Sequence, residues 1–509
     1  MKRSRVLIIA LDAAEPSLIE RWMGEGDLPN LAGIAAAGCY GRLASSARFL
    51  AGSPWPTFYT GTSPARHGRY HVLQWCAERM AHRRAGPEWL PERPFWRAED
   101  WVARRIISVD VPTAAAIEPI NGIEITGWST HDQLGPPVSH PPELIDRVMR
   151  RFGEDPVRAE VYGPERAASI LGQRDELIRA VGRGADLGRS LLEEEEPDLF
   201  IIAFGETHRG GHKLWDATGA RGVVTHDQEE ALRGALKELY VACDEAVGRL
   251  ADAAEDMTLI VFSLHGMGPN TCRVPILPEM LRRVLSGDDG SRASSETVLK
   301  RLRRAVPVEW RNAVKERLPQ SLQDWLSAFW RVGDIDFSKT RAFSAIADLQ
   351  GYVRLNLKGR EPAGVVDPEA RDELCAEISE GLSSFVDADT GEPVADRVVR
   401  RDELYPDGER CGRLPDLLVL WSPIPACKHR AVSSPRYGVI PWPTPGRSPD
   451  GRSGNHRGEG FLLARGAGVP AGSTITGGDI LDLLPTLADL LDLEPRAEWE
   501  GKTLVPVRP

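Results

Sequence analysis

The chain has 509 residues, 42% of them apolar, and a formal net charge of −11. That charge argues against a nucleic-acid backbone as the main partner, and no apolar run reaches the roughly 18 residues a membrane span needs. The seven cysteines are scattered and contain no CxxC pair, which disfavours a disulfide framework or a thiolate zinc site and fits a reduced, cytoplasmic setting.

In chain order, the run from Arg5 to Leu11 reads as a strand buried on both faces, with Asp12 at its carboxyl end. Ligands bind at that edge in open α/β sheets. The basic flank before it is not followed by a cleavage-like segment, so the run is expected to be a strand and not a signal peptide. Helices are predicted over Pro16–Trp22 and up to Gly38. In Phe49–Gly68 the prolines after Ser53 suit a first helical turn and Gly61 suits its C-cap. Ser53 is therefore placed at a helix N-terminus.

Residues 75–105 read as a surface excursion, and strands follow at Arg105–Pro112 and Gly122–Trp128. A helical stretch runs from Pro141 to Glu195. The strand Asp198–Phe204 carries Glu206, His208 and His212 at its carboxyl end. After a helix over Gln228–Ala254, the strand Thr258–Ser263 delivers Leu264 and His265. Residues 275–335 are expected to form a helical insertion or cap, with smaller excursions at 75–105 and 130–195. Strands are predicted at Gly351–Lys358 and Leu417–Trp421, and a helix over Pro368–Phe385. The irregular run Ser433–Gly458 contains His456 and reads as a functional loop. An apolar helix over Gly478–Leu491 closes a single α/β domain spanning 1–509.

Strands alternating with helices predict a doubly wound, mostly parallel central sheet with helices on both faces. Several strands end in potential ligands: Asp12, then Glu206, His208 and His212, then His265, with His456 in the late loop. Carboxylates and imidazoles in such a set suit zinc, with manganese as a harder alternative, one or two ions in all. Two ions a few ångströms apart clamp a phosphoryl group and activate a hydroxyl or hydroxide nucleophile. His131 and Asn270 either line the pocket or hydrogen-bond a loop, and Arg354, Arg360, Arg452 and Arg457 either face an anionic substrate or, as is commoner for arginine, lie on the solvated surface. His67 reads as a structural turn residue, and the Trp55 and Trp442 rings as packing.

The order of motifs resembles the alkaline phosphatase superfamily, in its type I phosphodiesterase/nucleotide pyrophosphatase branch. The resemblance rests on the strand ending in Asp12, on Leu28–Leu31, Thr60–Gly68, Ser263–Gly268, Gly454–Arg457 and Asp482–Thr486. It implies a metal-dependent hydrolase of phosphate esters with two zinc ions and a covalent Thr or Ser intermediate. Asp12 and His265 match one ligand set; His212 and His456, with Glu206 or His208, match the other. Two positions depart from the pattern. Leu264 stands where the family has an aspartate. Ala51 falls at the nucleophile position, which leaves Ser53, then Thr57, or a metal-held hydroxide.

The expected function is hydrolysis of a small phosphorylated substrate, with phosphodiester or pyrophosphate-like compounds ahead of monoesters. The changes at Leu264 and Ala51 keep open a degenerate member that binds a phosphorylated ligand or protein partner. Transfer or hydrolysis of a related ester on the same scaffold is a third reading. Metal content after dialysis separates enzyme from binder.

Overall fold

Val6–Leu11 alternates sides along its length: Leu7, Ile9 and Leu11 enter one apolar cluster, and Val6, Ile8 and Ala10 another. A strand with two buried faces belongs at the centre of a sheet covered by helices on both sides. The computed structural model describes residues 4–86, 89, 93–114, 119–131, 135–157, 163–289, 318, 322 and 335–504. It contains a nine-stranded sheet in the order Ser473–Asp479, Cys39–Ala44, Glu459–Arg465, Thr258–Ser263, Val6–Leu11, Leu199–Phe204, Ile106–Val109, Gly122–Thr126 and Val138–His140. Glu459–Arg465 runs antiparallel to both neighbours and Val138–His140 to its one neighbour; the other pairings are parallel.

The long helices Ala167–Glu195 and His226–Ala253 pack on the first face, the second of them started by a Thr225/Gln228 capping box. The helices Pro54–Thr60 and Leu483–Leu490 pack on the other. The doubly wound architecture is thus as the alternation of elements predicts.

Two features differ from the sequence reading. Trp75, Phe95, Trp96 and Trp101, expected in a surface excursion, are buried. Phe95, Trp96 and Trp101 join Phe58 in the core, where large rings remove the most apolar surface from water. A second sheet is also present, four antiparallel strands in the order Ala342–Ala345, Gly351–Leu355, Leu417–Trp421 and Ala395–Arg400. It shares a separate apolar cluster with the helices Leu277–Ser286 and Arg371–Ser383. Of the expected insertion at 275–335, the part beyond residue 289 lies almost entirely outside the described residues. Among the described residues no helix is long and apolar enough to cross a membrane.

Candidate metal centre

Three adjacent parallel strands bring the first ligands together. Val6–Leu11 lies between Leu199–Phe204 and Thr258–Ser263, in register through Leu11↔Phe204 and Ala10↔Phe262. Neighbouring strands are about 4.8 Å apart, so the residues leaving their carboxyl ends meet at one rim. Asp12, His208 and His265 do so, and a donor atom from each lies within 4.8 Å of the others.

The helix Glu206–Lys213 explains the second group. His208 and His212 are four residues apart and share a helix face, while Glu206 is turned about 200° away from His208. His456 arrives on the strand Gly454–Arg457, which pairs antiparallel with Gly266–Pro269 and sets His456 opposite Met267. Gly454 must be small here, because a Cβ would fall 2.1 Å from the Gly211 carbonyl oxygen. His208, His212 and His456 form the second set of donors within 4.8 Å.

The hydrogen bonds fix which nitrogens are bare. His212 Nδ1 lies 3.0 Å from the Gly454 carbonyl, which can only accept, so Nδ1 carries the proton and Nε2 a lone pair. His208 Nδ1 lies 2.9 Å from the Asp12 Oδ2 and donates to it, so its Nε2 is bare as well. These two bare nitrogens face each other at 3.1 Å. His265 Nε2 and His456 Nδ1 are 3.0 Å apart, and His265 Nδ1 has no hydrogen-bond partner among the described residues.

Burial, reinforced by neighbouring positive groups, drives the pKa values of His208, His212 and His456 well below the ordinary value, and that of His265 to about 3. The imidazoles are therefore neutral, as metal binding requires. Converging lone pairs on neutral rings, with one buried carboxylate, fit a divalent cation. A nitrogen-rich set of this kind suits zinc better than magnesium or calcium.

Several residues take roles the sequence did not reveal. Trp55 packs against Phe58 and Phe262 as expected, but its Nε1–H also donates to Asp12 Oδ1 at 2.8 Å. His131, read only as pocket lining, places Nε2 3.3 Å from Asp12 Oδ2 and its ring 3.8 Å from that of His208. The available signal was its position just past the end of another parallel strand. Arg452 pairs with Asp348 at 3.2 Å, and its charge reaches His208, His212 and His456. By contrast, Arg354 and Arg360 are engaged with Glu361 and Asp416 in the second sheet, while Arg457 donates to the Pro269 carbonyl.

Glu206 belongs to neither donor group. Its Oε1 accepts from Ser129 Oγ at 3.1 Å, Oε2 has no hydrogen-bond partner among the described residues, and burial pushes its pKa up to about 7. Ser53 precedes the helix Pro54–Thr60 as expected, fully buried. Its hydroxyl donates to the Leu50 carbonyl at 2.7 Å and lies 2.7 Å from Ser46 Oγ. Thr57 is inside the helix and bonded to His67 at 3.1 Å. Leu264 is buried in the apolar cluster with Trp55 and Phe262.

A model of the type I phosphodiesterase/nucleotide pyrophosphatase family matches residues 6–423. Among solved structures, human ectonucleotide pyrophosphatase/phosphodiesterase 5 is similar at TM-score 0.50 and 13% identity, over 98% of this chain and 97% of the other. Phosphonoacetate hydrolase from Sinorhizobium meliloti in complex with phosphonoformate gives TM-score 0.49 and 14% identity over 94% of each chain. An inactive variant of the murine ectonucleotide pyrophosphatase/phosphodiesterase 5 in complex with AMP gives TM-score 0.48 and 13% identity over 96% of each. No curated protein gives a significant match.

Proposed function

Because the chain belongs to the type I phosphodiesterase/nucleotide pyrophosphatase family, we propose that it hydrolyses phosphate esters with one or two divalent cations, zinc ahead of manganese. The substrates are phosphodiester or pyrophosphate-like compounds ahead of monoesters. The observation that carries this reading is the 3.1 Å approach of two bare nitrogens, His208 Nε2 and His212 Nε2. Apposed lone pairs repel, and burial opposes the proton that would relieve them.

His208, His212 and His456 would hold one ion, and Asp12 and His265, with His208 beside them, another. When bound, such a cation supplies Lewis-acid stabilisation of phosphoryl oxygens. Trp55 holds Asp12 in place through its N–H. Arg452 supplies positive charge near the imidazoles for an anionic substrate oxygen. Ser53 is the hydroxyl nucleophile the sequence suggests, but its proton is engaged by Leu50, which favours attack by water.

The test is a screen of aryl phosphate di- and monoesters after chelation and re-addition of zinc or manganese, with His456→Ala and His212→Ala as controls. Zinc-restored diester turnover that both variants lose supports the proposal. The burial of Leu264 in the core favours a second reading, a member that binds a phosphorylated ligand without turning it over. Cation binding with no hydrolysis of any ester would establish that reading instead.

A further inference from the structure

We propose that His131 is a further cation ligand that takes the coordination role Leu264 cannot fill; this rests on the metal reading above. His131 Nε2 approaches the same Asp12 oxygen as His208 Nδ1, at 3.3 Å and 2.9 Å. A tetrahedral ion holding donors at about 2.0–2.1 Å spaces them about 3.4 Å apart. The His131 separation is close to that edge length, whereas the shorter His208 contact is the hydrogen bond that orients Asp12, and His131 is only 5% exposed.

The surrounding backbone is arranged to hold the ring there. The strand Gly122–Thr126 turns at Gly127, with φ of 76°, in the left-handed region that favours glycine. The next two backbone N–H groups, of Trp128 and Ser129, donate to the two oxygens of Asp110 at 2.9 and 2.8 Å. Asp110 follows the adjacent strand Ile106–Val109, so the loop carrying His131 is fastened to the sheet rim. On the far side a Cβ at Gly205 would fall 3.2 Å from His131 Nδ1, so glycine lets the imidazole close over the start of the Glu206–Lys213 helix. Leu264 next to His265 is committed to the apolar cluster beneath. The donor that replaces its missing carboxylate thus comes from a different strand, on the other side of Asp12.

A hydrogen bond from His131 to Asp12 would instead make it an orienting residue, and that too can cost about tenfold or more in affinity. The experiment must therefore see the ligand itself. The protein is stripped with chelator, loaded with cobalt(II) and compared with His131→Ala, His131→Asn and His131→Asp by proton NMR and visible absorption. In the parent protein a hyperfine-shifted ring N–H signal should be present that vanishes in His131→Ala and His131→Asn while the other shifted histidine signals persist. His131→Asp should bind cobalt within a few-fold of the parent but with a changed visible spectrum, because oxygen replaces nitrogen. Identical shifted signals and spectra in parent and His131→Ala would overturn the assignment and leave the metal reading standing. Failure of the parent to bind cobalt would overturn both.

Discussion

His208 and His212 face each other through Nε2 atoms 3.1 Å apart, while their opposite ring nitrogens are committed to Asp12 and to the Gly454 carbonyl. Without a cation this contact is repulsive, so a bound ion should stabilise the fold directly. Zinc at a hundredfold excess over its Kd should add about 3 kcal/mol to the unfolding free energy of the stripped protein. His212→Ala should lose most of that increment. Differential scanning fluorimetry with and without zinc checks it, and a shift retained in full by His212→Ala would count against the assignment.

Trp55→Phe tests how Asp12 is held. The substitution keeps most of the contact with Phe58 and Phe262 but deletes the donor to Asp12 Oδ1. Groups that orient ligands typically contribute 10–100-fold to affinity. Zinc affinity, read by competition with a chromogenic chelator, should fall by about tenfold or more. Folding stability should fall by about 1–3 kcal/mol, since a buried carboxylate oxygen loses a partner.

The rim of the sheet was legible in the sequence because buried strands of Val, Leu and Ile end in a few polar residues, and Asp12, His208 and His265 follow three such strands. His456 was legible only through its Gly-Asn-His-Arg context. The helix phase that turns Glu206 away from His208 was available in principle, since two residues advance about 200°. Two strands of the second sheet, Gly351–Leu355 and Leu417–Trp421, were legible as strands, but their antiparallel assembly was not, because pairing between Phe343 and Arg354 or between Val398 and Val419 leaves no local pattern. The Trp55 bond to Asp12 spans 43 residues and depends on the tertiary packing of one helix on the sheet.

His67 should make the fold acid-sensitive. It is fully buried, accepts from the Arg69 backbone N–H through Nδ1 at 3.0 Å, and lies 3.1 Å from Thr57 Oγ1 through Nε2. Burial first, and then the charges of Arg69 and Arg410, lower its pKa to about 3 from the ordinary 6.5. The unfolded chain therefore takes up this proton first. The contribution of neutral His67 is complete above pH 6.5 and is lost as the pH falls towards 3, at about 1.4 kcal/mol per pH unit. In urea titrations of zinc-loaded protein, His67→Gln should be less stable at neutral pH but show a stability–pH slope shallower by one proton. Parallel slopes would remove His67 from the account.

Ser53→Ala separates attack by the serine from attack by water. The Ser53 hydroxyl is fully buried and its proton is held by the Leu50 carbonyl at 2.7 Å, with Ser46 Oγ at the same distance on another side. A hydroxyl so placed fastens the turn that leads into Pro54, and its loss should cost about 1 kcal/mol of stability. For attack, Oγ would have to release Leu50 and turn towards the imidazoles, leaving a buried carbonyl with one partner fewer. The expected outcome is turnover within several-fold of the parent and no burst of product in rapid-mixing experiments with an aryl diester. A loss of a thousandfold or more, with zinc affinity unchanged, would instead assign the phosphoryl acceptor to Ser53 and show that the turn reorganises when substrate binds.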